Sequence, residues 1–184
     1  MKRTVEKRKP SGFADYVALA LTTFGVGYIP GAPGTYGSAV AVGIYLFINS
    51  IWLRAFPSSD FAPPPIPLAQ TSAILAVGLL GFSLVGIWAS NRSIPLLGND
   101  DPSEAVVDEV LGQLVTFCFI PVGLTWPFVL AGFLLFRLFD IWKPYPIDGL
   151  QVLPGGLGVC ADDLVAGIYA GVCLAIGYAI YLSV

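Results

Sequence analysis

The chain of 184 residues contains no histidine. That absence removes phosphohistidine chemistry, histidine-assisted acid phosphatases and every serine or cysteine nucleophile that an imidazole would activate. Charge is scarce too: 11% of residues are charged, against about 25% in soluble domains. The net charge of −3 leaves no basic field for nucleic acid. Cysteine occurs three times, at Cys118, Cys160 and Cys173. An odd, scattered set in apolar surroundings argues against a disulfide framework and, without histidine, against a Cys/His zinc site. None of the three is followed by arginine in a short phosphate-cradling loop, which argues against a thiolate phosphatase. The chemistry left to the chain is that of carboxylates, lysine, arginine, hydroxyls and a metal.

Apolar residues fill the space that charge leaves. They make up 56% of the chain, and the mean hydropathy is +0.79. The expected class is an all-α polytopic membrane bundle, folded as a single domain over residues 1–184. Lys2, Arg3, Lys7, Arg8 and Lys9 crowd the first ten residues, which the positive-inside rule makes a cytoplasmic anchor. Ser11–Pro30 reads as a short embedded or interfacial helix whose crossing of the bilayer stays open. Ser38–Phe56, Ile66–Ser90 and Leu164–Val184 have the length of membrane spans. Pro57–Pro67 reads as an extended loop on the outer side, with one acid and no base.

Three polar islands interrupt the apolar segments. The first, Pro30–Ser38, holds three glycines and two prolines directly before an apolar helix. Free N–H groups there, with the Thr35 and Ser38 hydroxyls, suit a phosphate; a tight turn capped by Ser38 is the plainer alternative. The second, Asn91–Glu109, ends in Asp108-Glu109 where an apolar helix begins, and Gly112 one turn on leaves room beside Asp108. The helix dipole alone would favour acids at that position. The third, Arg137–Asp163, sets Arg137, Asp140 and Lys143 three residues apart as a charged stripe, ended by Pro144 and Pro146. Pro154–Gly158 reads as a flexible loop, and Asp162-Asp163 opens the last helix.

Between Glu109 and Arg137 lie 27 uncharged residues. One crossing would put Asp108 and Asp140 on opposite sides of the bilayer. Pro121–Pro127 supplies turn chemistry for a re-entrant helical hairpin with arms of about 11 residues, which returns both acidic islands to the cytoplasmic face. Asp108, Glu109, Asp140, Asp162 and Asp163 would then meet Arg137 and Lys143. Oxygen donors without histidine or thiolate select a hard cation, with Mg²⁺ the natural one beside a phosphate. The chemistry expected is metal-assisted hydrolysis of a lipid phosphate at a membrane surface. A carboxylate-lined cation or proton transporter is the rival outside enzymology. A CDP-alcohol phosphotransferase is disfavoured because Asp148-Gly149 is not followed by Ala-Arg.

PGAPGTYGS (30–38), VVDEVLGQ (106–113), FRLFDIWKPYPI (136–147) and GGLGVCADDLVAG (155–167) resemble, in order, the signature blocks of the phosphatidylglycerophosphatase A family. The likeness runs from about Gly25 to Gly171. It implies an all-α enzyme of the bacterial inner membrane, its site facing the cytoplasm, that uses Mg²⁺ to convert phosphatidylglycerophosphate to phosphatidylglycerol. The residues it implicates are Asp108, Glu109, Arg137, Asp140, Lys143, Asp162 and Asp163. Asp108, Glu109, Asp162 and Asp163 are the expected metal ligands, with Asp108, Asp140 and Asp163 catalytic. Arg137, Lys143, Thr35 and Ser38 are the expected phosphate contacts. Another lipid phosphate, such as phosphatidic acid, is the alternative substrate.

Overall fold

A computed structural model describes residues 4–55, 68–120 and 125–183. Among these residues the chain is all-helical: α1 (Phe13–Thr23), a 3₁₀ turn (Val26–Tyr28), α2 (Pro33–Ala55), α3 (Leu68–Leu97), α4 (Val107–Phe117), α5 (Trp126–Trp142), α6 (Ile147–Leu150) and α7 (Gly155–Ser183). Three helices are long and apolar enough to cross a membrane, within Pro33–Arg54, Ala73–Leu97 and Gly155–Ser183. Their outward faces are apolar, as Phe47, Ile51, Ile74, Val77, Leu84, Val172, Ile176 and Ile180 illustrate. Exposed apolar surface on that scale is what hydrocarbon replaces water against. The proline-rich stretch 57–67 and residues 121–124 of the expected hairpin turn lie outside the described residues.

The short helix α4 is the centre of the bundle and packs against α7, α2, α3 and α5. Val107, Val110 and Leu111 are completely buried on it. Its contact with α7 is close because both helices present glycine there: a Cβ on Gly112 would strike the Asp163 carbonyl and the Phe136 ring, and one on Gly167 the Gly112 carbonyl. Thr116 ties the pair further, its hydroxyl lying 3.1 Å from the Gly112 carbonyl and 3.3 Å from that of Gly167. Small residues of this kind let membrane helices approach at backbone distance.

Several boundaries differ from the sequence expectation. The helix expected from Ser38 begins at Pro33, a residue whose fixed φ suits a first turn, so Thr35 and Ser38 lie inside α2 rather than in a loop. The second span continues past Ser90 to Leu97 and keeps Pro95 in its last turn. The expected loop Pro154–Gly158 is the start of α7, so Asp162 and Asp163 sit in its third turn and cap nothing. Its glycines serve packing: a Cβ on Gly156 would run into the Asn91 backbone at 2.6 Å. α1 has 11 residues, about 16 Å, too short to cross a bilayer. α5 has 17 residues, longer than the expected arm.

Among the described residues of the basic N-terminal segment, Val5 and Arg8 are docked against the end of α3. Val5 N–H donates to the Gly98 carbonyl at 3.2 Å and Arg8 N–H to the Pro95 carbonyl at 2.9 Å. Arg8 also grips the buried Asp15 of α1 through both guanidinium nitrogens, at 2.6 and 2.9 Å, and Arg92 Nε of α3 reaches the same carboxylate at 2.7 Å. The Arg8 hydrogen bonds, with help from the Ser11 N–H, hold the Asp15 carboxyl well below the usual carboxylate range.

Candidate active site

Five helix ends meet at one end of the bundle. α4 brings Asp108 and Glu109 on its first turn. α5 brings Arg137 and Asp140 on its last turns, with Lys143 as its C-terminal cap. α7 brings Asp162 and Asp163. The start of α2 closes over them, Gly34 lying against Glu109 and Arg137. α3 supports the start of α7 through Asn91, whose side chain accepts the Gly156 N–H at 3.4 Å.

The two cations are already held. Arg137 Nη1 lies 2.5 Å from Asp140 Oδ2, and Lys143 Nζ donates to Asp162 Oδ2 at 2.5 Å. Lys143 is not the third member of a helical stripe, because the helix ends before it: its φ of 46° is left-handed. That conformation costs a side-chain-bearing residue about 1 kcal/mol, and glycine is the usual occupant of such a cap. Burial alone would lower the Lys143 pKa, but the Asp162 hydrogen bond and the charges of Asp162, Asp163 and Asp140 raise it above its ordinary value. The ammonium is therefore a permanent charge of the site.

Asp108, Glu109 and Asp163 remain. One carboxylate oxygen from each lies within 4.8 Å of the others. Asp108 and Asp163 are 9% and 3% exposed, and Asp108 Oδ1 and Glu109 Oε2 are buried without a hydrogen-bond partner. Burial, then the charges of Glu109 and Asp163, push the Asp108 carboxyl well above its usual range; burial also raises Glu109, with the Asp108 hydrogen bond and, less, the Arg137 charge pulling the other way. Three carboxylates that close, away from water, stay ionised only if a cation joins them. The oxygen-only donor set and its orphaned atoms fit a hard divalent ion.

Of the expected phosphate contacts, Arg137 keeps a buried Nε without a partner. Ser38 is fully buried and its hydroxyl donates to the Gly34 carbonyl at 3.0 Å; Thr35 is half-buried on the first turn of α2. Gln113 was singled out by nothing but its place in a motif. It lies one turn beyond Glu109 on the same face of α4, fully buried, with both amide atoms lacking a partner. The signal for it was a lone amide in an otherwise apolar helix, four residues after an acid.

Fold and site together define a helical membrane protein with a buried carboxylate cluster beside two fixed cations, suited to an anionic phosphate. The model of the phosphatidylglycerophosphatase A family matches residues 19–178, and the chain belongs to that family. It is thereby an enzyme of the lipid-phosphatase class. It is 31% identical over 157 residues to phosphatidylglycerophosphatase A of Escherichia coli, covering 84% of this chain and 80% of that protein. The Haemophilus influenzae enzyme of the same name is 32% identical, covering 84% and 83%. A protein of Bacteroides thetaiotaomicron is 37% identical, covering 84% and 89%, and carries the provisional name phosphatidylinositol-3-phosphatase. No solved structure matches the chain.

Proposed function

We propose that the chain is a single membrane-embedded domain that hydrolyses phosphatidylglycerophosphate to phosphatidylglycerol and phosphate in a Mg²⁺-dependent reaction. In this reading α4 and α5 form a re-entrant hairpin, and the site faces the cytoplasm from a bacterial inner membrane. The observation that carries it is the convergence of Asp108, Glu109 and Asp163 next to Arg137 and Lys143. Arg8, bonded to the Pro95 carbonyl near the end of α3, and Arg92 lie at the site's end of the bundle, which supports the cytoplasmic orientation.

Asp108, Glu109 and Asp163 hold the cation, with Asp162 beside them through its second oxygen, which is buried and unpartnered. The ion, when bound, neutralises charge on the transferring phosphoryl group. Arg137 binds a phosphoryl oxygen through its free Nε, and its ion pair with Asp140 fixes the direction of that donor. Lys143 supplies a fixed positive charge against Asp162 Oδ2. Asp108 also orients the attacking water and accepts its proton on the carboxylate oxygen not given to the cation. The water oxygen bonds to phosphorus, the phosphorus–oxygen bond to glycerol breaks, and the departing alkoxide is protonated from solvent. Thr35 lines the phosphate entry at the start of α2.

The name of the Bacteroides relative favours a second reading, hydrolysis of a phosphoinositide. Phosphate release from phosphatidylglycerophosphate, phosphatidic acid and phosphatidylinositol 3-phosphate, each in detergent micelles with Mg²⁺, separates the substrates. Phosphatidylglycerophosphate should be turned over fastest. Faster turnover of either other lipid overturns the assignment.

A further inference from the structure

A groove of about 510 Å³ runs between α2 and α5. Ala39 and Val42 form one wall, Leu130 and Phe133 the other, Val129 the floor, and Trp126 the far end. No charged side chain lines it. Val129 is buried, whereas Leu130 and Trp126 are 58% and 69% exposed, so the groove opens sideways onto the apolar outer face rather than into the bundle. A space of this size is typical of small-molecule sites, which span about 300–1,000 Å³.

Its position relates it to the acidic cluster. α2 and α5 pass each other so that Gly34 lies against Arg137 at one end while Ala39 and Val42 face Phe133 and Leu130 at the other. Along α2, Ala39 is five residues from Gly34, and along α5, Phe133 is four residues from Arg137. At 1.5 Å per residue the groove begins about 6–8 Å from the guanidinium's helix position. One seam between two helices therefore carries a cation at its polar end and an open apolar channel at its other end.

We propose that this groove holds an acyl chain of the phospholipid whose phosphate reaches Arg137, so that substrate enters sideways from the bilayer through the α2–α5 seam. The inference rests on the lipid-phosphatase reading above and adds the part of the lipid it did not place. An anionic head joined to an apolar tail is the ligand whose two halves match the two ends of this seam. Gly34, which has no side chain, is all that separates the apolar groove from Glu109 and Arg137 along this seam, so the lateral route needs the start of α2 to give way only at a glycine.

The test fills the groove. Ala39→Phe and, separately, Leu130→Trp place bulk in it from opposite walls, while Ile176→Trp on α7 adds the same bulk to a lipid-facing position elsewhere. Phosphate release is measured on dioleoyl and dihexanoyl phosphatidylglycerophosphate in detergent micelles, with thermal unfolding as a check on folding. For both groove variants KM on the dioleoyl lipid should rise about tenfold or more, with the dihexanoyl lipid changed less than about twofold and Ile176→Trp like the parent. Equal effects on the two lipids, or none, overturn the inference while leaving the phosphatase reading standing. An equal loss accompanied by a changed oligomeric state would assign the groove to a second copy and overturn it as well. No release from either lipid by the parent protein overturns the phosphatidylglycerophosphate assignment, and this inference with it.

Discussion

Gly112 of α4 and Gly167 of α7 cross so closely that a Cβ on Gly167 would meet the Gly112 carbonyl. Each glycine lies four residues beyond a carboxylate of the cluster, Asp108 on α4 and Asp163 on α7. The crossing is therefore what sets the separation of those two acids. Residues more than fifty positions apart in the chain share a site because neither helix carries a side chain where they touch.

Widening that crossing should disperse the cluster. Gly112→Val and Gly167→Val are expected to cost about 1–3 kcal/mol through overpacking and to lower phosphate release more than stability alone explains. Gly177→Ala, where nothing lies within 4 Å, should leave both unchanged or raise stability by up to about 1 kcal/mol. Thermal unfolding in detergent and the phosphate assay check all three.

Cation binding should be visible without turnover. A ligand that binds only the folded protein adds about 2.7 kcal/mol at one hundred times its Kd. Mg²⁺ should raise the unfolding temperature of the parent, and Asp163→Asn and Glu109→Gln should abolish most of that rise. A rise that persists undiminished in both variants places the ion elsewhere.

Lys143 separates backbone strain from charge. Its left-handed φ of 46° favours glycine, so Lys143→Gly should be more stable than Lys143→Ala by about 1 kcal/mol. Both remove the partner of Asp162 and should lower phosphate release alike. If Lys143→Gly retained parental turnover, the ammonium would have no part in the reaction.

Asp15 gives the pH dependence a sign. Its folded pKa is depressed by Arg8, so its contribution to stability is present above the unfolded carboxylate value near 3.8 and is lost as pH falls toward the folded value. Asp15→Asn should therefore unfold at a lower temperature than the parent at pH 6, with the gap narrowing as pH drops below about 4. A gap constant with pH would mean that the Arg8 and Arg92 contacts are not what Asp15 contributes.

Much of this was legible in the sequence. The absence of histidine together with the acids flanking apolar segments indicated oxygen-only chemistry, and the run of 27 uncharged residues required a reversal if Asp108 and Asp140 were to meet. Pro144 marked the end of α5 correctly, since a proline disfavours helix in the residue before it. The start of α7 was misread because glycines at 155, 156 and 158 look like a loop by propensity, whereas in the folded bundle Gly155 and Gly156 pack against Ile87 and Asn91 of α3 and Gly158 lies against the Leu153 carbonyl. The link from Asp15 to Arg92 could not be read, because nothing local marks a pairing across 77 residues. Gln113 escaped for a related reason: its amide matters only once α2 and α7 have sealed α4 from water.

The measurement that bears most directly on the account is phosphate release from phosphatidylglycerophosphate by purified protein, first stripped of metal with a chelator and then titrated with Mg²⁺, for the parent and for Asp108→Asn and Asp163→Asn. The parent should be inactive when stripped and recover with Mg²⁺, and both variants should stay on the order of 100-fold or more below it at every Mg²⁺ concentration. Full turnover by the stripped parent, or parental turnover in both variants, would contradict a reaction carried by a cation shared among these carboxylates.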